Sequence, residues 1–247
     1  MCPENSNIFK TNFKSYETVN LDPTGAKEKE PVWMVLNEGR EITQLVNSDP
    51  GLAVGGDSFS DVDFEGTFFV NDKNDDDFIG LVFSYQSNRK FYSVMWKQTD
   101  QVYWGTGPLT AYARKGISIK LINSTTGPGK ILKKSLWNTD STAGEVTKLW
   151  HKNVGWEFNT SYRWKLLHRP RIGLIHLTIY QGATQIVYSD NVYDSTLKGG
   201  QLGVYCFSQE KVVWSNLIYR CNSKVPLDIY EKLSEEQKKK LKQDDEA

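Results

Sequence analysis

The segment Asn71-Asp-Lys-Asn-Asp-Asp-Asp77 places four carboxylates in seven residues. Charges that close repel, so either water and salt screen them or a cation sits among them. Calcium takes about six to eight hard oxygens, and clustered carboxylates and Asn carbonyls supply them. An EF-hand alignment from Asp72 fails, because Asp77 falls where Gly is required and Phe83 where the bidentate Glu belongs. A calcium site here would therefore be of another kind, completed by a distant loop. Otherwise the segment is an acidic turn that keeps a hairpin soluble.

A second acidic set, Asp61, Asp63 and Glu65, falls at i, i+2 and i+4, which on a strand is one sheet face. Retaining glycosidases hold an acid and a nucleophile in this way, with carboxyl groups about 5 Å apart. This is the enzyme alternative for the chain, a carbohydrate-active β-sandwich. Its rivals are a solvent-facing strand start, or further ligands for the same cation. Other chemistries lack their local motifs. There is no Gly-x-Ser-x-Gly elbow, Thr125–Lys130 lacks the phosphate-loop spacing, and His151, His168 and His176 show no metal-ligand spacing.

The elements that must position these acids read as strands. Val62–Val70 alternates, with Val62, Phe64, Gly66, Phe68 and Val70 on one face. Phe78–Tyr85 is almost continuously apolar, as a strand buried on both faces would be. Phe91–Lys97 is aromatic and β-branched, and reads better as core than as a basic–aromatic ligand patch. Further strands are predicted over Lys14–Leu21, Val32–Leu36, Glu41–Val46, Val102–Trp104, Ile117–Leu121, Tyr162–Leu166, Leu174–Tyr180, Thr184–Ser189, Leu202–Phe207 and Lys211–Arg220. Turns are expected at Asp22–Gly25, Asn37–Arg40 and Gly105–Pro108. Asn123–Trp150 is irregular, with one short helix over Ile131–Trp137. About a dozen short strands with frequent turns mean an all-β sandwich or barrel.

The 247 residues suit one domain, and 30 acidic residues balance 30 basic ones, which argues against a nucleic-acid platform. No apolar run approaches the roughly 18 residues of a membrane span. Met1-Cys-Pro-Glu-Asn5 carries no signal-peptide pattern, which fits a cytosolic chain or a module of a longer secreted one. Cys2, Cys206 and Cys221 leave two states open: a Cys2–Cys221 bridge tying the domain's ends, or three reduced thiols. Asn123-Ser-Thr125 and Asn159-Thr-Ser161 are glycosylation sequons in loop-like segments. The domain is expected over 1–225. The tail, 226–247, is charged and poor in apolar residues, with a capping box at Ser234–Gln237, and is expected to be a solvated, frayed helix or disordered.

The ordered stretches Asn47-Ser-Asp-Pro-Gly-Leu-Ala-Val-Gly55, Val62-Asp-Phe-Glu-Gly-Thr-Phe68, Asp75-Asp-Asp77, Phe91-Tyr-Ser-Val-Met-Trp-Lys-Gln98, Asn123-Ser-Thr-Thr-Gly-Pro-Gly129, Tyr162-Arg-Trp164, His168-Arg-Pro170 and Phe207-Ser-Gln-Glu210 resemble the C-terminal globe of thrombospondins. The resemblance runs from about Cys2 to Cys221. It implies a concanavalin/L-type-lectin-like antiparallel β-sandwich, a jelly roll, without catalytic activity. It implies Ca2+ held by Asp75, Asp76 and Asp77, with Asp63 as a further ligand, and a Cys2–Cys221 disulfide. Asn123 matches a family glycosylation position. The resemblance also implies a secreted matrix glycoprotein that engages integrins, integrin-associated protein and matrix proteins, and no insertion into membranes. The segment proposed for integrin-associated protein corresponds to Phe91, Tyr92, Val94, Met95 and Trp96, with Ser93 departing from the family's Val. The assembly segments of thrombospondins are not in this sequence; oligomerisation would lie in segments N-terminal to it.

Overall fold

The computed structural model describes residues 8–25, 28–103 and 110–242. Cys2, Trp104 and the predicted turn at 105–108 lie outside the described residues. In chain order the strands are β1 (Phe9–Lys10), β2 (Glu17–Asn20), β3 (Trp33–Leu36), β4 (Glu41–Gln44), β5 (Gly51–Phe59) and β6 (Val62–Val70). They continue with β7 (Phe78–Ser87), β8 (Lys90–Lys97), β9 (Gln101–Val102), β10 (Tyr112–Ala113) and β11 (Gly116–Asn123). After helix α1 (Lys130–Trp137) come β12 (Val146–Lys152), β13 (Ser161–Arg169), β14 (Leu174–Gln181), β15 (Thr184–Tyr188) and β16 (Val192–Tyr193). The last strands are β17 (Gly200–Phe207) and β18 (Val212–Cys221), followed by helices α2 (Leu227–Tyr230) and α3 (Glu235–Lys242).

These strands make two large antiparallel sheets. One has the order β15-β14-β13-β6-β18-β4-β3, with β1 and β16 at its margins; the other runs β12-β11-β8-β7-β17-β5-β2. Consecutive strands β6 and β7 therefore lie in different sheets, and so do β17 and β18. The expectation that 71–77 is a hairpin turn is corrected: it is a crossover between the sheets.

The alternation of β6 does what its pattern dictates. Phe64, Phe68 and Val70 turn into the space between the sheets, where Trp96, Tyr162, Trp164 and Trp214 meet them. Burying each such aromatic removes roughly 150–250 Å² from water. Gly66 faces Trp164 across the β6–β13 pair. A Cβ there would come within 2.4 Å of the indole, so only glycine lets the ring lie across the strand. A second apolar layer, with Phe78, Phe91, Met95, Leu132, Leu136 and Trp137, fills the space between α1 and the outer face of the second sheet.

Strand β8 thus serves both layers. Tyr92, Val94 and Trp96 join the inter-sheet core, while Phe91 and Met95 pack beneath α1. All five are at most 2 % exposed. This corrects their assignment as receptor-binding residues, because contacts to a partner would require opening the sheet.

The tail also differs from expectation. Ile229 and Leu233 are buried with Leu167, Ile172 and Leu174, and Val225, Tyr230 and Leu241 flank them. Few apolar residues suffice because they land on an apolar patch around the β13–β14 turn. The capping box forms, with Gln237 N donating to Ser234 Oγ at 3.2 Å and Ser234 N to Gln237 Oε1 at 2.9 Å. Truncating Leu233 to Ala should cost about 2–4 kcal/mol in denaturant-measured stability; an unchanged midpoint would show that the tail does not dock.

His168 is fully buried against Phe83 and Tyr92, with Nδ1 3.2 Å from Ser84 Oγ. Burial first, and the nearby Arg169 and Lys198 charges next, push its pKa down to about 3. The unfolded chain takes up this proton near pH 6.5 and the native state does not. Stability should therefore fall as pH drops from about 6.5 to 3, by up to about 1.4 kcal/mol per pH unit from this group. His168→Asn should flatten that part of the stability–pH curve.

Candidate metal centre

The two crossovers meet at one end of the sandwich. Asn71–Asp77 leaves β6 for β7, and Ser208–Lys211 returns from β17 to β18. Backbone and side chain tie them together. Asp77 N donates to Gln209 Oε1 at 2.7 Å, Glu210 N to Asp75 Oδ2 at 3.1 Å, and Asn71 N to Lys211 O at 3.0 Å. Ser208 and Lys211 both hold φ near +55°, a conformation costly for non-glycine residues and sustained by such surrounding bonds. Asn47, from the β4–β5 loop, joins by donating to Asp75 Oδ2 at 3.4 Å and accepting from Ser208 Oγ at 3.1 Å.

Asp75, Asp76 and Asp77 each offer an oxygen within 4.8 Å of the others. Among the described residues this is the one such grouping of His, Cys, Asp or Glu. Its charges are only partly compensated. Lys97 Nζ, fully buried, lies 2.9 Å from Asp76 Oδ1 and 2.8 Å from Asp77 Oδ1. Asp77 is still raised above the ordinary carboxylate range, because burial outweighs the lysine. Asp75 is pushed up to about 7, by burial first and by the charge of Asp77 second. Asp72 points to a different partner. Its bond from Lys211 Nζ, 2.8 Å long, brings it down to about 2.

The donor set fits a hard divalent cation. All three groups are carboxylates, and neighbouring amide and hydroxyl oxygens of Asn47 and Ser208 are at hand. Sequence reasoning found the three aspartates but missed Lys97, Gln209, Glu210, Asn47 and Ser208. Lys97 carried a signal: it continues the Phe91, Ser93, Met95 face of a strand buried on both sides, where an ammonium needs a partner.

Asp63 is not a fourth ligand. It stands at the opposite end of β6, seven residues from Val70 and so about 20 Å from the loop. There Arg169, fully buried, reaches Asp63 Oδ1 at 2.7 Å, and Asn222 Nδ2 reaches Oδ2 at 2.8 Å. Glu65 faces Lys165 and Arg220, each at 4.0 Å. Asp61 has its pKa raised by burial, against the pull of Arg169 and Arg171. The three proposed catalytic acids thus serve a charge network on the outer sheet face. Arg169 also donates to Val62 O and Lys224 O, pinning the strand end and the chain after β18.

Cys221 is in a disulfide, and Cys206 is a free, buried thiol. Asn123 and Asn159 are both exposed. Replacing Arg169 with Met should destabilise the fold by about 3–5 kcal/mol, because Asp63 and the carbonyls of Val62, His168 and Lys224 each lose a donor. A cost below 1 kcal/mol in equilibrium unfolding would show the network to be dispensable.

Residues 28–223 match the family described as the thrombospondin C-terminal region. Curated relatives include thrombospondin-3a of Danio rerio, 52 % identical over 93 % of this chain and 24 % of its own length. Human thrombospondin-3 is 51 % identical over 93 % of this chain and 24 % of its own length. Human cartilage oligomeric matrix protein is 50 % identical over 92 % of this chain and 30 % of its own length. The chain thus spans about a quarter to a third of the relatives it matches. Among solved structures, the VIP36 exoplasmic/lumenal domain aligns with a TM-score of 0.52 at 10 % identity, covering 87 % of this chain and 92 % of that one. The carbohydrate-binding module CBM66 of Bacillus subtilis also gives 0.52, at 14 % identity over 88 % and 99 %. These similarities show a shared lectin-like sandwich.

Proposed function

Because the chain belongs to the thrombospondin C-terminal family, we propose that it is a non-catalytic, calcium-binding adhesion module of a secreted, thrombospondin-like matrix glycoprotein. The observation that carries the calcium reading is the convergence of Asp75, Asp76 and Asp77 with, among the described residues, one ammonium between them. Asp75, Asp76 and Asp77 would hold the ion, which when bound supplies the positive charge that Lys97 alone does not. Gln209, Glu210 and Asn47 orient the loop by fixed hydrogen bonds, so the ligands are arranged before binding.

Adhesion is proposed from membership of this family of matrix proteins. Integrins, integrin-associated protein and matrix proteins are the partner classes, and the parent protein would be oligomeric through segments outside this sequence. Contacts would use exposed loops and sheet faces rather than the buried Phe91–Trp96 run. The exposed sequons at Asn123 and Asn159, the disulfide at Cys221 and the lack, among the described residues, of a helix long and apolar enough to cross a membrane are compatible with an extracellular setting.

The test is a calorimetric calcium titration paired with melting in calcium and in chelator. At calcium about a hundredfold above Kd, binding should add about 2.7 kcal/mol, a rise of roughly 5–10 °C in Tm. Asp77→Asn should abolish most of that rise. Melting indifferent to chelator would overturn the calcium reading.

A further inference from the structure

The acid cluster carries its own cation, and that cation has nowhere to go. Lys97 Nζ makes four contacts: Asp76 O at 2.8 Å, Asp76 Oδ1 at 2.9 Å, Asp77 Oδ1 at 2.8 Å and Gln101 Oε1 at 2.7 Å. Its three protons are fully engaged. The side chain is 0 % exposed. The ammonium lies 5.9 Å from the centre of Phe78 and 5.5 Å from that of Trp137, under α1. Its backbone cannot shift readily either, because β8 is paired on both sides, to β7 and to β11, with Lys97 opposite Gly116. A surface lysine could swing into water when a metal ion arrives; this one is walled in by aromatic rings and paired backbone.

We propose that Lys97 is a resident counter-ion that stays in place when metal binds, reduces the charge of the Asp75–Asp77 site from three negative units to two, and so matches it to a divalent rather than a trivalent ion. This rests on the calcium reading above and goes beyond it to the site's selectivity. Two features support a charge-setting role. First, Lys97 takes one oxygen from each of two carboxylates and leaves their other oxygens free of it, so it can coexist with a metal on the same groups. Second, the nearby acids Asp72 and Glu210 are served separately by Lys211, at 2.8 and 2.7 Å. Lys97 is thus the ammonium dedicated to Asp76 and Asp77 among the described residues. At a few ångströms in a partly buried site, one unit of charge changes ion affinity by far more than tenfold, and the change grows with the charge of the ion.

The test compares wild type with Lys97→Met, which keeps the stem without donor or charge, and Lys97→Gln, which keeps a donor without charge. Affinities for calcium and for terbium are measured on the intact chain, by calorimetry and by sensitised terbium luminescence. Circular dichroism melts with and without calcium accompany them. Both variants should favour terbium over calcium by about tenfold or more relative to wild type. Both should melt lower than wild type in chelator and recover most of that loss in calcium. If a variant does not fold without metal, refolding in calcium and displacement by terbium gives the same ratio. An unchanged terbium-to-calcium ratio in both variants, with calcium binding intact in wild type, would overturn the counter-ion role and leave the calcium site standing. A wild-type chain that binds neither ion would overturn the site and this role together.

Discussion

The electrostatic balance at the paired crossovers constrains this molecule more than any other local interaction. A jelly roll must pass its chain from sheet to sheet at the ends, and such passages expose backbone groups that no strand partner can satisfy. Here one passage supplies carboxylates and the other supplies amides. Gln209 and Glu210 satisfy the acidic segment, and Asn47 stitches a third loop to both. The carboxylates that lock the crossovers are the same groups that repel one another. The end of the sandwich is therefore held by charges that Lys97 cancels in part; in the calcium reading proposed above, a bound cation would cancel the remainder.

The same device recurs elsewhere with a different outcome. Lys133, on α1, lies buried among Asp22, Glu28 and Asp49, and Lys120 is buried against the carbonyls of Leu136 and Asn138 at the end of α1. Lys120 lacks a carboxylate at its ammonium in these bonds, and burial brings its pKa down to about 7. Together with Lys97, these lysines surround the ring cluster of Phe78, Trp137 and Phe207. The layer beneath α1 is thus an aromatic patch penetrated by ammonium groups, unlike the apolar inter-sheet core of Phe64, Phe68, Trp164 and Trp214. Cation–ring attraction contributes about 2 kcal/mol or more per pair when desolvated, which helps offset the burial of charge.

Strands with a clean pattern were legible, and their limits follow from physics. Val62–Val70 alternates because one face meets the core and the other meets Arg163, Lys165 and water. Gly51–Phe59 escaped notice because three glycines and a polar stretch erase the period-two signal, although it pairs with both β2 and β17. Val146–Lys152 was hidden for another reason. As an edge strand with mostly half-exposed residues, it has no strongly buried face to betray it. The docked tail was missed because its apolar residues are few, and their target forms only when the β13–β14 turn folds.

The sequence alone determined the all-β class, the central strands, the crowding of Asp75, Asp76 and Asp77, and a resemblance specific enough to name a family. These depend on neighbours along the chain, where period and spacing are visible. Tertiary structure decided which charges meet. Asp63 and Asp75 both look like ligands on paper, yet a strand's length separates them, and Arg169 claims the former while the crossovers claim the latter. It also placed Lys97, twenty residues from Asp77 in the chain, at hydrogen-bond distance from it. Charge pairing depends on distance in space, and linear order does not encode that distance until the sheets have paired.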